Sequence, residues 1–201
     1  MRNLAGEGCD GADAPTCPGR CQTDCTCAPP PVKYVFLSSS ESNGDLGGLS
    51  AADAICNGFA SAASLPGTYK AWLSDSVNSP STRFTHATIP YVLVNGTVVA
   101  NSWSDLTDGS IAHKINLTEH GVDPNVACGG FCFVFTNTNN DGTPLGTTSN
   151  CSDWTSTASA DTSVCGTSED DNPGSPGWTA FQGCSCNGFY DRPIRLYCFE
   201  Q

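Results

Sequence analysis

Positive charge is scarce in this chain. Eight lysines and arginines stand against twenty aspartates and glutamates, for a formal net charge of −12. The eight are spread singly, so there is no clustered basic surface of the kind that holds nucleic acid or an anionic membrane. No apolar run approaches the about 18 residues that cross a bilayer, and no membrane span is expected. Histidine is also rare: His86, His113 and His120 are the only three. His86 lies in RFTHATIP, in a loop before a strand. His113 and His120 are seven residues apart with no third ligand beside them, which does not suit a helical zinc pair. A Gly-x-Ser-x-Gly elbow, an HExxH motif and a phosphate-cradling glycine loop are all missing. An enzyme needs convergent titratable groups, and the chain reads as non-enzymatic, with no cofactor beyond the calcium considered below.

Cysteine and glycine, by contrast, are plentiful, at 13 and 21 residues, while only 38% of the chain is hydrophobic. The cysteines lack CxxC…CxxC zinc spacing and are scattered through glycine- and serine-rich stretches. Structural disulfides in an oxidising compartment are expected, which places the protein outside the cell or on its surface. An odd count leaves one thiol free or bonded to another chain. MRNLAGEGCDGADA lacks the apolar core of a secretory signal, so disulfide chemistry here points to a mature form or a fragment. LAGEGC resembles a lipoprotein box, but two residues too many separate LAG from Cys9.

Composition divides the chain into three parts. Residues 1–28 form a cysteine-rich module holding Cys9, Cys17, Cys21, Cys25 and Cys27. Its order must come from disulfides, since so few apolar side chains build no core. An odd number of cysteines cannot close on itself, so one of the five is a candidate for an intermolecular bond. Residues 29–32 are a stiff proline spacer. Residues 33–201 form the globular part. It opens with VKYVFLSSS, which reads as a buried strand. Ser50 is the expected N-cap of a helix carrying Asp53 in its first turn, with Ala54, Ile55 and Phe59 facing inward and an end near Ser64. YKAWLS alternates as a strand, with Tyr69, Ala71 and Leu73 on one side. PYVLVNGTVVA is two strand-forming arms around Asn95-Gly96, a hairpin signal. FCFVF and IRLYCF read as further strands. From about 136 to 190 the chain is polar and reads as a long loop stapled by Cys151, Cys165, Cys184 and Cys186. Cys128 and Cys132, in ACGGFC, have glycines that allow a tight local bridge.

The succession LGGLSAADAICNGFASAASLPGTYKAWLSDS, IPYVLVNGTVVANSWSDL, NCSDWTS and LYCF resembles endostatin, the C-terminal domain of certain collagens. It is more similar still to a bacterial domain family of unknown function, found in exported proteins, with the endostatin form of the C-type lectin-like fold. The similarity covers about residues 33–201. It implies an α+β, disulfide-rich and loop-rich domain, with Cys56 bonded to Cys198. It further implies that Cys151 bonds either Cys184 or Cys186, the other reaching Cys165. Trp72, Trp103 and Trp154 sit inside motifs of the resembled fold and are expected to be buried; Trp178, within the long loop, is expected to be partly exposed. The N-terminal module resembles cysteine-rich modules that precede such domains in bacterial surface proteins. Endostatin's histidine-rich zinc tail and its heparin-binding arginines have no counterpart here, so neither property carries over.

Calcium is the metal the sequence offers. It takes clustered oxygen ligands, and SEDDNPG supplies Glu169, Asp170 and Asp171. Asp123-Pro124-Asn125 mimics the acid-Pro-Asn sugar motif of calcium-dependent C-type lectins, but the downstream Trp-Asn-Asp half is missing. Asn95, Asn116 and Asn150 begin N-x-[ST] sequons. The functional expectation is non-catalytic extracellular recognition or adhesion, binding a glycan or protein ligand through the long loop region. The alternative is a structural subunit of an extracellular fibre or surface coat, self-assembling as a homopolymer through the N-terminal module.

Overall fold

The computed structural model describes residues 17–24, 26–170, 175–188 and 194–201, so Cys9, Cys25 and Asp171 lie outside the described residues. The chain forms two units, Met1–Val32 and Lys33–Gln201. In the first, Cys17 is bonded to Cys27. Gln22 N–H donates to Thr26 O at 2.8 Å, and Ala28 N–H to Arg20 O at 2.8 Å, folding the segment back on itself. Cys17 and Cys27, two of the five candidates for an intermolecular bond, are thus bonded to each other within the module. Cys21 is disulfide-bonded as well.

The second unit is mixed α/β with two sheets and few helices. VKYVFL supplies β1 (Lys33–Leu37). The last strand, β9 (Tyr197–Glu200), runs antiparallel beside it, with Val35 opposite Phe199 and Leu37 opposite Tyr197. Strand β2 (Tyr69–Ala71) pairs with the other side of β9. Strand β3 (Tyr91–Val92) lies parallel to β1, and β4 (Val98–Ala100) returns antiparallel to β3 around the Asn95-Gly96 turn. The sheet order is β2-β9-β1-β3-β4. The second sheet contains β5 (Phe133–Phe135), β6 (Thr162–Thr167), β7 (Gln182–Ser185) and β8 (Ile194–Arg195), in the order β7-β6-β5-β8.

Strands β6 and β7 correct the reading of 136–190 as one long loop. Their residues, TSVCGT and QGCS, are too polar to show a strand period. The backbone ladder and the Cys165–Cys184 bond between the two strands take the place of apolar cross-strand pairs.

Helix α1 (Leu49–Ala62) also departs from expectation. Gly48 is its N-cap, no side chain caps it, and Ser50 is its second residue. The buried face is Leu49, Ala52, Cys56 and Ala60; Ile55 and Phe59 are half-buried and Ala54 is exposed. Small residues at four-residue spacing let the helix lie close to β2, and polar side chains complete the contact. Asn57 Oδ1 accepts the Tyr69 N–H and its Nδ2 donates to Tyr69 O, both at 2.8 Å. Asp53 Oδ1 accepts the Ala71 N–H at 3.0 Å. These side chains occupy the hydrogen-bonding edge of β2 where another strand would otherwise pair.

Alternation along the central strands buries both faces of the first sheet. Phe36, Ala71 and Cys198 face one core with α1, and there Cys56 is bonded to Cys198. Val35, Leu37, Trp72, Tyr197 and Phe199 face the other, a cluster rich in aromatic rings. Within it Trp72 meets Phe199 at 5.2 Å, Trp178 at 5.0 Å and Trp103 at 5.9 Å between ring centroids. Trp178 is 1% exposed, which corrects the expectation of partial exposure. Its segment lies directly on β6: a Cβ at Gly166 would stand 2.0 Å from Trp178 O, so only glycine permits the approach. The Trp72 indole N–H donates to Thr179 Oγ1 at 2.7 Å and holds the segment down.

Two measurements follow from this core. All four tryptophans are 8% exposed or less, so iodide should quench their emission weakly in the folded protein and strongly after denaturation. Cys56→Ala should lower the free energy of unfolding by about 2–5 kcal/mol in urea titrations, the range for native disulfides of small secreted domains.

Candidate functional site

Cys151, Ser152, Asp153 and Trp154 have φ of 54°, 54°, 55° and 64°, four successive non-glycine residues in the left-handed region. The turn is helical in its bonding, with Trp154 N–H on Asn150 O at 2.8 Å and Thr155 N–H on Cys151 O at 3.0 Å. Left-handed helical geometry costs L-residues about 1–2 kcal/mol each, so the turn exists only because its surroundings impose it. Cys151 is bonded to Cys186, leaving Cys184 for Cys165. A Cβ at Gly44 would meet the Cys151 sulfur at 2.6 Å, so glycine is needed where the chain passes over that bond. The Trp154 indole N–H donates to Ser74 O at 3.0 Å. The Asp153 carboxylate accepts from the Ser76 N–H and Oγ–H, both at 2.8 Å, and from Asn150 Nδ2 at 2.6 Å.

The turn stands beside the start of α1. Trp154 O accepts the N–H groups of Leu46 at 2.9 Å and Gly48 at 3.1 Å. An open cleft of about 430 Å³ occupies this side, lined by Gly47, Gly48, Ser50, Asp75, Asn78 and the paired Asp53 and Arg83. Asp53 and Arg83 neutralise each other, and the Asp75 Oδ1 is taken by the Val77 and Asn78 N–H groups. The hydroxyl of Ser50 and the amide of Asn78, both on exposed residues, give the cleft neutral donors and acceptors. Such a lining suits a ligand rich in hydroxyl or amide groups. Ser50 reaches the site as a helical residue and not as the cap the sequence indicated.

The expected calcium ligands are arranged differently. Glu169 Oε2 receives the Lys114 ammonium and Oε1 receives Asn125 Nδ2. Asp170 accepts the Ser175 hydroxyl, and Asp171 lies outside the described residues. Among the described residues no group of three or more His, Cys, Asp or Glu side chains is placed to hold a metal. The Asp-Pro-Asn stretch and Glu169 do come together, joined by Lys114, which stands 55 positions before Glu169 and carries no motif of its own. Nothing local in the sequence signals that meeting. Cys128 and Cys132 are bonded to each other close by.

The histidines are dispersed. His86 stacks on Trp103 at 4.2 Å, His113 Nδ1 lies 2.8 Å from Lys114 O, and His120 Nε2 lies 3.6 Å from Glu119. Of the sequon asparagines, Asn95 is exposed in its turn. Asn116 is buried against Asp123, and Asn150 is buried and spent on Asp153, so only Asn95 has the exposure of a surface acceptor.

No protein-family model matches the chain, and no curated protein matches it in sequence. Five disulfides among the described residues fit a secreted or extracellular protein. No described helix is long and apolar enough to cross a membrane.

The left-handed turn is open to a direct test. Ser152→Gly should raise stability by about 0.5–1 kcal/mol in denaturant titration, because glycine adopts positive φ without steric cost. Asp153→Gly relaxes the same kind of strain but removes three side-chain hydrogen bonds, and should lower stability by about 1–2 kcal/mol.

Proposed function

We propose that the protein is a non-catalytic extracellular recognition or adhesion module of the endostatin-like C-type lectin-like kind. Its ligand is a glycan or a hydroxyl- and amide-rich peptide surface, bound in the cleft at the start of α1, which the left-handed turn braces through Leu46 and Gly48. The observation that carries this reading is the turn itself: four strained residues held by a disulfide and an Asp153 network, beside an open polar cleft. Backbone strain of this kind collects where geometry must be fixed for binding. The fold reading is supported by the pairing of β1 with β9 and by helix α1, bonded through Cys56 to β9. Cys151 and Trp154, from the polar segment after residue 136, contribute the turn that braces the start of α1, while the residues that line the cleft all precede that segment.

A glycan and peptide array probed with the full chain tests the reading. Binding should be detected, and the double variant Ser50→Ala, Asn78→Ala should weaken it at least tenfold without changing the thermal midpoint. An array without a binder, or binding indifferent to both substitutions, would remove the cleft as the recognition site.

A further inference from the structure

Lys114, Asn125 and Glu169 form a second constellation, away from the strained turn. One carboxylate serves two nitrogens: Glu169 Oε2 holds Lys114 Nζ and Glu169 Oε1 holds Asn125 Nδ2. An amine and a side-chain amide are thus held on the two oxygens of one acid/base group. The other end of the amide is equally prepared. Asn125 Oδ1 accepts the Ser168 hydroxyl at 2.6 Å and a share of the Cys132 N–H at 3.2 Å, the same N–H reaching Ser168 Oγ at 2.9 Å. Two donors on a carbonyl oxygen are what stabilise the oxyanion of acyl transfer.

The frame around these groups is rigid. Asn125 is 6% exposed, and its own N–H is fixed by Asp123 Oδ1 at 2.9 Å. Cys132 is tied to Cys128, and Ser168 N–H donates to Cys132 O at 3.0 Å. The Lys114 and Glu169 side chains are each 30% exposed, which gives a leaving molecule a way out. Nucleophile, proton carrier, acyl group and oxyanion donors are all present, the four parts an acyl transfer requires.

We propose that Lys114 and Asn125 become joined by an intramolecular isopeptide bond, with Glu169 as the catalytic proton carrier. Glu169 takes a proton from the Lys114 ammonium, and the neutral Nζ attacks Asn125 Cγ. A bond forms between Nζ and Cγ while the charge on Oδ1 is held by the Ser168 and Cys132 donors. Glu169 returns its proton to Nδ2 and takes the surplus proton from Nζ. The Cγ–Nδ2 bond breaks, ammonia leaves, and the last proton follows it to solvent as Glu169 regains its charge. The chain loses one positive charge and one ammonia, with no oxidation, reduction or external co-reactant. The event happens once per chain and needs no substrate.

Intact-mass spectrometry of the full chain, fully reduced and denatured, tests this. The folded and purified protein should be lighter than its sequence mass by about 17 Da, the mass of ammonia. Proteolysis should release a branched peptide joining Lys114 to residue 125. Lys114→Arg and Glu169→Gln should both have their full sequence masses. Asn125→Asp should lose about 18 Da, water in place of ammonia, with the same branched peptide. Wild-type protein at its full sequence mass overturns the proposal. So does a deficit that persists in Lys114→Arg, which would mark a succinimide, or a gain of about 1 Da at residue 125, which would mark hydrolysis to aspartate. A branch mapped to any other pair overturns it as well.

Discussion

The antiparallel pairing of β1 with β9 sets the terms for the whole second unit. Alternate residues of these two strands point into two different cores, so neither face of the sheet can be left to solvent. One face is closed by α1, whose small residues allow near approach and whose Cys56 is bonded to β9. The other is closed by tryptophan and phenylalanine rings drawn from segments widely separated in the chain. Burying both faces of a central strand extracts much apolar contact from a chain with only 38% hydrophobic residues.

What the two cores cannot supply is supplied by polar groups and covalent bonds. Asn57 and Asp53 complete the edge of β2, Asp153 braces the left-handed turn, and Glu169 draws three chain segments together. Such contacts link a side chain to a backbone or side chain far away in sequence. In a chain so rich in Asn, Asp, Ser and Thr they are the natural substitute for aliphatic packing, provided that disulfides first restrict the loops that carry them.

This division of labour explains what could be read from the sequence and what could not. The strand-forming runs at VKYVFL, YKAWLS and PYVLVNGTVVA carry local periodicity and a strong turn, so their strands are legible. The burial of Trp178 was not, because it depends on Gly166 letting a distant segment lie on β6. Polarity hides the strands β6 and β7, and at the helix start Ser50 resembles a cap while Gly48 takes that position. For the candidate sites, Glu169 and the Asp-Pro-Asn stretch were visible as polar groups, but their chemistry depends on Lys114, which only the folded chain brings to them. The left-handed turn left little trace, since of Cys-Ser-Asp-Trp only the aspartate belongs to a residue type enriched at positive φ.

The bond between Cys56 and Cys198 spans 142 positions of sequence. Almost the entire second unit must therefore have been synthesised before its central sheet can close. Until β9 arrives, the aromatic face and the α1 face of β1 lack their common neighbour, and the growing chain holds both surfaces open. Contacts so remote along the chain make for slow folding and a long exposure to misassembly. The early partnerships are the local ones: Cys128 with Cys132, four positions apart, and Cys165 with Cys184, nineteen apart. These local bonds can close while Cys56 still waits for a partner 142 positions downstream.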